Sequence, residues 1–332
     1  MRERSTFAFM ELLDVLIVGA GPIGICCALE SEARGLSYVV IEKGTTVNSL
    51  FHYPLNMQFF STADKLEIAG VPFISTGAKP GRKDALEYYG GIARSRNLKI
   101  NHYEKVENIV KKESYFEVQT SKRIYQARHV ILATGFYDIP NRMNVKGEEL
   151  PKVKHYYTEP YGYTRQKVVV VGSSNSAIDV ALETYRKGAE VTLIVRGSEI
   201  SSRVKYWVKP DIENRIAEGS IKAHFNSRIL EIKESSVLFE NEREEKVEIE
   251  NDFVFAMTGY LPDFELLKSV GIRLNGPNLN PTYNPETMET NVENLFLAGV
   301  VCGGKDTHLW FIENSRIHAS LILSTIDKRI HS

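Results

Sequence analysis

Cysteine is scarce in this chain: 332 residues contain three, at Cys26, Cys27 and Cys302. An odd count with two neighbours cannot build a disulfide framework and fits a reducing cytoplasm. Charge of one sign is lacking too. Forty-one Lys+Arg stand against 42 Asp+Glu, a formal net charge of −1, with no single-sign block long enough to be a tail. A general nucleic-acid binder needs a basic excess to displace counterions from phosphates, so that class is excluded. Long apolar runs are also missing. Val15 to Leu29, preceded by Arg2 and Arg4, superficially resembles a signal peptide, but Gly19, Gly21, Pro22 and Gly24 interrupt it. No segment reaches the roughly 18 uninterrupted apolar residues of a membrane span. The chain reads as a soluble, cytoplasmic protein without a membrane partner, and residues 1–9, upstream of Met10, as a disordered extension outside the fold. There is no low-complexity segment.

What is present is an ordinary globular composition, 43% hydrophobic and 25% charged, long enough for about two domains. One pattern occurs twice. Asp14–Val18 is a short β-branched run, followed by Gly19-Ala20-Gly21-Pro22-Ile23-Gly24, a helical stretch through Ala28 to Gly35, and a second run, Tyr38–Ile41, ending at Glu42. The second copy is Lys167–Val171, then Gly172-Ser173-Ser174-Asn175-Ser176-Ala177, a helix through Ala181 to Gly188, and Glu190–Val195 ending at Arg196. Gly19, Gly21, Gly24, Ala28 and Gly35 correspond to Gly172, Ser174, Ala177, Ala181 and Gly188, each offset by 153.

A GxGxxG that follows a strand, opens a helix and meets an acidic residue 18 positions beyond its last glycine predicts a dinucleotide site. The first glycine permits the tight turn, the second lets backbone approach a pyrophosphate, and the third lets helix and strand pack closely. The helix N-terminus supplies N–H donors and positive dipole to the phosphates. Glu42, with Lys43 beside it, ends the second strand where a carboxylate can accept from ribose hydroxyls. In the second copy that position is Val195, followed by Arg196. A carboxylate repels a 2′-phosphate and a guanidinium pairs with one. The first site therefore suits FAD and the second NADPH, with Arg203 and Lys205 as candidates for further positive charge. Two dinucleotides on one chain imply a hydride relay from nicotinamide to flavin.

His129–Gly135 and Phe253–Gly259 are apolar runs ending in Thr-Gly, at Thr134-Gly135 and Thr258-Gly259, where each nucleotide-binding unit is expected to close. Asn294–Gly299 is another buried strand, with Gly299 and Val300 placed at the flavin, and a helical stretch runs from about Thr307 to Ile326. The expected fold is α/β, with two Rossmann-like, three-layer (ββα) domains. Residues 10–155 and 288–332 form a discontinuous FAD-binding domain and 160–284 an inserted NADPH-binding domain, with crossings at Tyr156–Arg165 and Tyr283–Pro285. Lys246–Ile249 alternates as an exposed hairpin strand, and Phe59 and Phe60 read as core.

Beyond the fingerprints, long stretches carry a resemblance. They include Tyr53-Pro54, Phe59-Phe60-Ser61, Asp64-Lys65-Leu66, Val71-Pro72-Phe73, Leu150-Pro151-Lys152-Val153, His155-Tyr156, Asn175-Ser176-Ala177-Ile178-Asp179, Phe264 to Ile272, and Phe311-Ile312-Glu313-Asn314. Over nearly its whole length the chain resembles thioredoxin-reductase-like flavoproteins, and more narrowly the bacillithiol disulfide reductase family. The resemblance implies FAD, NADPH, a homo-oligomer and a small-molecule or small redox-protein acceptor. The departures are specific. The Cys-x-x-Cys of thioredoxin reductases is absent, and Ile23 occupies the position at which the bacillithiol-type family carries its redox cysteine. The acidic residue that thioredoxin reductases place after the late Ala-Gly is here Val300.

Without that thiol no catalytic residue stands out. Cys26 is a candidate, in the first turn of a helix whose N-terminus lowers a thiol pKa; Cys27 and Cys302 read as packing. His308, near the start of the last helix, is a candidate proton donor at the flavin pyrimidine. The reading is an FAD-dependent NADPH oxidoreductase. Alternatives are an NADPH:ferredoxin or flavodoxin reductase, a flavin monooxygenase-like enzyme, and a non-catalytic nucleotide sensor. No metal site is expected.

Overall fold

The computed structural model describes residues 11–331, so the expected extension at residues 1–9 lies outside them. The chain forms two compact units. The first holds the chain up to His52, Ser61–Ile139, and everything from Leu261 on; the second holds Tyr53–Phe60 and Pro140–Tyr260.

The first unit opens with β1 (Leu12–Val18), α1 (Pro22–Ala33) and β2 (Tyr38–Ile41), then α2 (Arg82–Ser95), β3 (Ile100–Asn101), β4 (Val106–Lys111), β5 (Phe116–Thr120) and β6 (Ile124–Leu132). Val15, Leu16 and Ile17 are fully buried, as the central strand of a sheet covered on both faces requires. The sheet order is β3-β2-β1-β6-β5-β4, with parallel pairing from β3 to β6 and antiparallel pairing through β5 and β4.

The second unit repeats the plan. It contains β7 (Val153–Lys154), β8 (Lys167–Val171), α3 (Asn175–Arg186), β9 (Glu190–Ile194), α4 (Lys209–Ala217) and β10 (Lys222–His224). An antiparallel layer of β11 (Arg228–Ile232), β12 (Ser236–Glu240) and β13 (Lys246–Glu250) follows, and then β14 (Phe253–Ala256). Its five parallel strands run in the order β10-β9-β8-β14-β7. Strand β13 pairs with β12 and alternates exposed and half-buried residues, the hairpin strand expected there.

The chain then returns to the first unit. β15 (Leu295–Leu297) pairs in parallel with Val130–Leu132 of β6, and α5 (Ile312–Ser315) and α6 (Ile317–Ile330) follow, α6 packing on α1. Two expectations need correction. The unit boundaries fall at 139/140 and 260/261 rather than in the polar segments near 156–165 and 283–285. Val153–Lys154 adds an edge strand to the second sheet, while the helix Phe264–Ser269 packs on β4 of the first unit. The last helical region starts at Ile312, not Thr307, and its main helix only at Ile317. In addition, Phe60 is 55% exposed rather than core, and it packs beside Trp207 of the second unit with ring centroids 5.6 Å apart. No helix among the described residues is long and apolar enough to cross a membrane.

Candidate functional site

Each parallel sheet ends its first strand in a glycine turn, and the two are built alike. Gly19, after β1, has φ +105°, and a Cβ there would lie 2.6 Å from the carbonyl oxygen of Ala133, just past β6. Gly172, after β8, has φ +134°, and its Cβ would meet the carbonyl oxygen of Met257, just past β14, at 2.5 Å. Only glycine fits either place. Ala133 and Met257 each precede a Thr-Gly pair, so Thr134-Gly135 and Thr258-Gly259 flank the two turns in the same way.

The third small residue differs. A Cβ on Gly24 would stand 1.9 Å from the Gly19 carbonyl oxygen, whereas its counterpart Ala177 carries a Cβ and is buried. Gly21 is the informative case. Its backbone is ordinary extended chain (φ −69°, ψ 176°), and a Cβ there would meet nothing within 4 Å. The protein's own packing does not demand glycine at 21, and the space beside its backbone is open. Pro22 occupies the first position of α1, where its missing N–H is no loss, and Gly21 caps without a side chain. The first-turn N–H groups of Ile23 and Gly24 have no partner within the helix.

Glu42 follows β2 and is 5% exposed. One carboxylate oxygen accepts from the N–H of Ala20 and the other from that of Gly44, both at 2.8 Å. Burial pushes its carboxyl above the usual range, and the two backbone donors act the other way. Glu42 is thus a strut of the first glycine turn, with lone pairs left for ribose hydroxyls. Lys43 pairs with Asp138 at 2.7 Å.

At the second turn Val195 is buried and Arg196 is exposed, without an ion pair among the described residues. Asn175 staples the following loop: its Nδ2 donates to the Arg203 carbonyl at 3.0 Å and its Oδ1 accepts from the Lys205 N–H at 2.9 Å. Ser173 accepts the Ser201 N–H through its carbonyl. Ser174 and Ser176 stay exposed, as does Arg203. Lys205 is buried and its Nζ lies 2.9 Å from Asp179, so its charge is already paired.

The late Gly299-Val300 bend reaches the first glycine turn. Gly299 has φ +85°, and a Cβ on it would sit 3.3 Å from the Ile23 side chain. The two weak catalytic candidates fare otherwise. His308 lies in an exposed turn ahead of α5, so it caps no helix. Cys26 is the fifth residue of α1, past the first turn, and burial with the added charge of Glu30 pushes its thiol up to about 12. Desolvation outweighs any helix-end effect and disfavours a thiolate at the candidate Cys26. Burial raises the Cys27 and Cys302 thiols as well.

Sequence reasoning missed His318. It is fully buried on α6, its Nδ1 accepts the Gly299 N–H at 3.1 Å, and burial pushes its pKa down to about 4. The available signal was its place on the His318–Ile322–Ile326 stripe, an i, i+4, i+8 core face. Among the described residues no cluster of His, Cys, Asp or Glu could hold a metal.

Residues 16–299 match the family model of the pyridine nucleotide-disulphide oxidoreductases. The chain belongs to this family. It is 42% identical over 315 residues to the bacilliredoxin reductase Bdr of Bacillus subtilis (strain 168), covering 95% of this chain and 97% of that one. The solved bacillithiol disulfide reductase Bdr of Bacillus cereus superposes with a TM-score of 0.94 at 42% identity, over 96% of this chain and all of that one. A ferredoxin–NADP reductase of Lactococcus lactis (strain MG1363) is 28% identical over 305 residues, 87% of this chain and 86% of that one. The protein is accordingly a flavoprotein oxidoreductase of thioredoxin-reductase-like fold. Family membership implies a flavin and a pyridine nucleotide, and the open cradle at Gly21 fits one such group.

Proposed function

We propose that this oxidoreductase binds FAD on the Gly19–Gly24 turn and oxidises NADPH bound on the Gly172–Ala177 turn. The carrying observation is the contrast at the two strand ends: a buried carboxylate, Glu42, at the first, and exposed Arg196 after Val195 at the second. In the first site Ile23 and Gly24 offer N–H donors to a pyrophosphate, Gly21 leaves room for it, and Glu42 accepts from a ribose. In the second, Arg196 pairs with a 2′-phosphate, and Asn175 holds the Arg203 loop beside it. Bound flavin supplies hydride acceptance from nicotinamide and onward delivery of electrons.

The relatives' names point to two acceptor classes, a bacillithiol disulfide or bacilliredoxin and a ferredoxin. With isoleucine at position 23 and three buried thiols of raised pKa, this chain offers no thiolate for a mixed disulfide. Electrons leave the flavin directly, for a small-molecule or small redox-protein acceptor in a reducing cytoplasm, and the family resemblance favours a homo-oligomer. The experiment is anaerobic reduction with NADPH, then reoxidation by bacillithiol disulfide, ferredoxin, quinones or oxygen. Little disulfide turnover is expected, with Ile23→Cys raising it. Robust wild-type disulfide turnover that vanishes in Cys26→Ser would return the redox centre to a cysteine.

A further inference from the structure

His318 is a costly way to fill a core position. Ile322 and Ile326 occupy the same stripe of α6 without leaving polar atoms buried. His318 leaves its Nε2 with no hydrogen-bond partner among the described residues, and the Trp310 ring lies edge-on to the imidazole at 4.5 Å. Buried unsatisfied groups of this kind call for a reason beyond packing. What an aliphatic side chain there lacks is an acceptor for the Gly299 N–H, which His318 Nδ1 supplies at 3.1 Å. A ring nitrogen that accepts carries no proton, so the neutral ring holds its hydrogen on Nε2. The Cys302 Sγ lies 3.9 Å from the same Nδ1. Contact then passes from Gly299 to Ile23, whose side chain lies 3.3 Å from where a Gly299 Cβ would be.

Resting on the reading that the first glycine turn holds flavin, we propose that His318 is a positioning residue: its unprotonated Nδ1 pins the Gly299 N–H and so holds the Gly299-Val300 bend against Ile23 in that turn. Burial keeps the imidazole neutral down to about pH 4, so the acceptor persists through the physiological range. The buried Cys302 thiol beside it stays neutral as well. Neither group needs to touch substrate for this role.

The test compares wild type with His318→Leu, His318→Asn and His318→Gln, each stripped of flavin and titrated with FAD. Affinity and the visible flavin spectrum are the readouts. Leucine fills the core but cannot accept. Asparagine carries an acceptor at the reach of Nδ1, and glutamine carries its amide one methylene too far. His318→Leu and His318→Gln should bind FAD about tenfold more weakly with an altered flavin band, the loss expected for one hydrogen bond. His318→Asn should keep the wild-type spectrum and an affinity close to wild type. Rescue by asparagine, a poorer core filler than leucine, is a result that packing alone does not give. His318→Leu matching wild type in both readouts overturns the inference, as does asparagine falling as far as glutamine, a comparison that stands even where the leucine variant does not fold. A wild type that takes up no flavin overturns the assignment of the first turn and this inference together; normal wild-type binding with unaffected variants overturns this inference alone.

Discussion

The two glycine turns share one backbone plan and differ at their rims. Gly19 and Gly172 adopt positive φ for the same reason, a carbonyl oxygen of the neighbouring strand's end at 2.6 Å and 2.5 Å from a would-be Cβ. The first turn is then closed tightly: Gly24 lies against the Gly19 carbonyl, Glu42 straps Ala20 and Gly44, and the Gly299 bend abuts Ile23. The second tolerates Ala177 in place of that glycine, has no carboxylate strut, and leaves Arg196 exposed. A tight, strapped turn suits a resident prosthetic group, and an open, cationic one suits a dinucleotide that comes and goes. In the proposed function the shared backbone plan accounts for two dinucleotide sites, and the differing strand-end side chains account for which dinucleotide each takes.

The largest expected effect is at Gly21. Gly21→Val should abolish flavin binding while the thermal stability of the flavin-free protein stays near wild type, since a Cβ there meets nothing of the protein within 4 Å. Ser174→Val at the matching position should leave flavin content intact and weaken only NADPH binding. Equal flavin loss in both variants would erase the distinction between the turns.

A second expectation uses His318, which belongs to the first unit alone. Its folded pKa is depressed from 6.5 to about 4, so the stability it contributes is present above pH 6.5 and is lost as pH falls through about 4. The loss amounts to about 3 kcal/mol at most. Denaturant unfolding of wild type and His318→Asn across that window should show wild type losing stability relative to the variant as the pH drops; parallel curves would assign the acid sensitivity elsewhere.

Next comes Arg196. A charge-assisted contact to a 2′-phosphate contributes about 1.5–3 kcal/mol, so NADPH should reduce the flavin about tenfold to a hundredfold more effectively than NADH. Arg196→Glu should remove that preference without changing flavin content. Wild type using both nucleotides equally in rapid-mixing kinetics would contradict the role given to Arg196.

Much of this was legible in the sequence because it is local. The strand–turn–helix units, the offset of 153 between them and the identity of each strand end all lie within short windows. What escaped depends on distant packing. The apolar run Leu309–Ile312 continues the helical pattern of α6 backwards, which puts the expected helix start at Thr307 with His308 as a proton donor near it, whereas the chain turns there and the buried histidine at the first glycine turn is His318. Cys26 looked activated when only its distance from the helix start was weighed; α6 packing over α1 contributes the burial that reverses the sign. The unit boundary near 260 was missed because the helix Phe264–Ser269 packs on β4 of the first unit, far away in sequence.

The central claim is that electrons pass from the second turn to the first and leave without a cysteine of this chain. The smallest expected effect tests it most directly: the Cys26→Ser, Cys27→Ser and Cys302→Ser triple variant, titrated anaerobically with NADPH and followed by flavin absorbance. The account predicts that wild type and variant each bleach fully with one equivalent per flavin and reoxidise with the same acceptors at similar rates. Loss of acceptor turnover in the variant, or a second equivalent consumed by a disulfide in wild type and not in the variant, would show a redox-active cysteine and contradict the account.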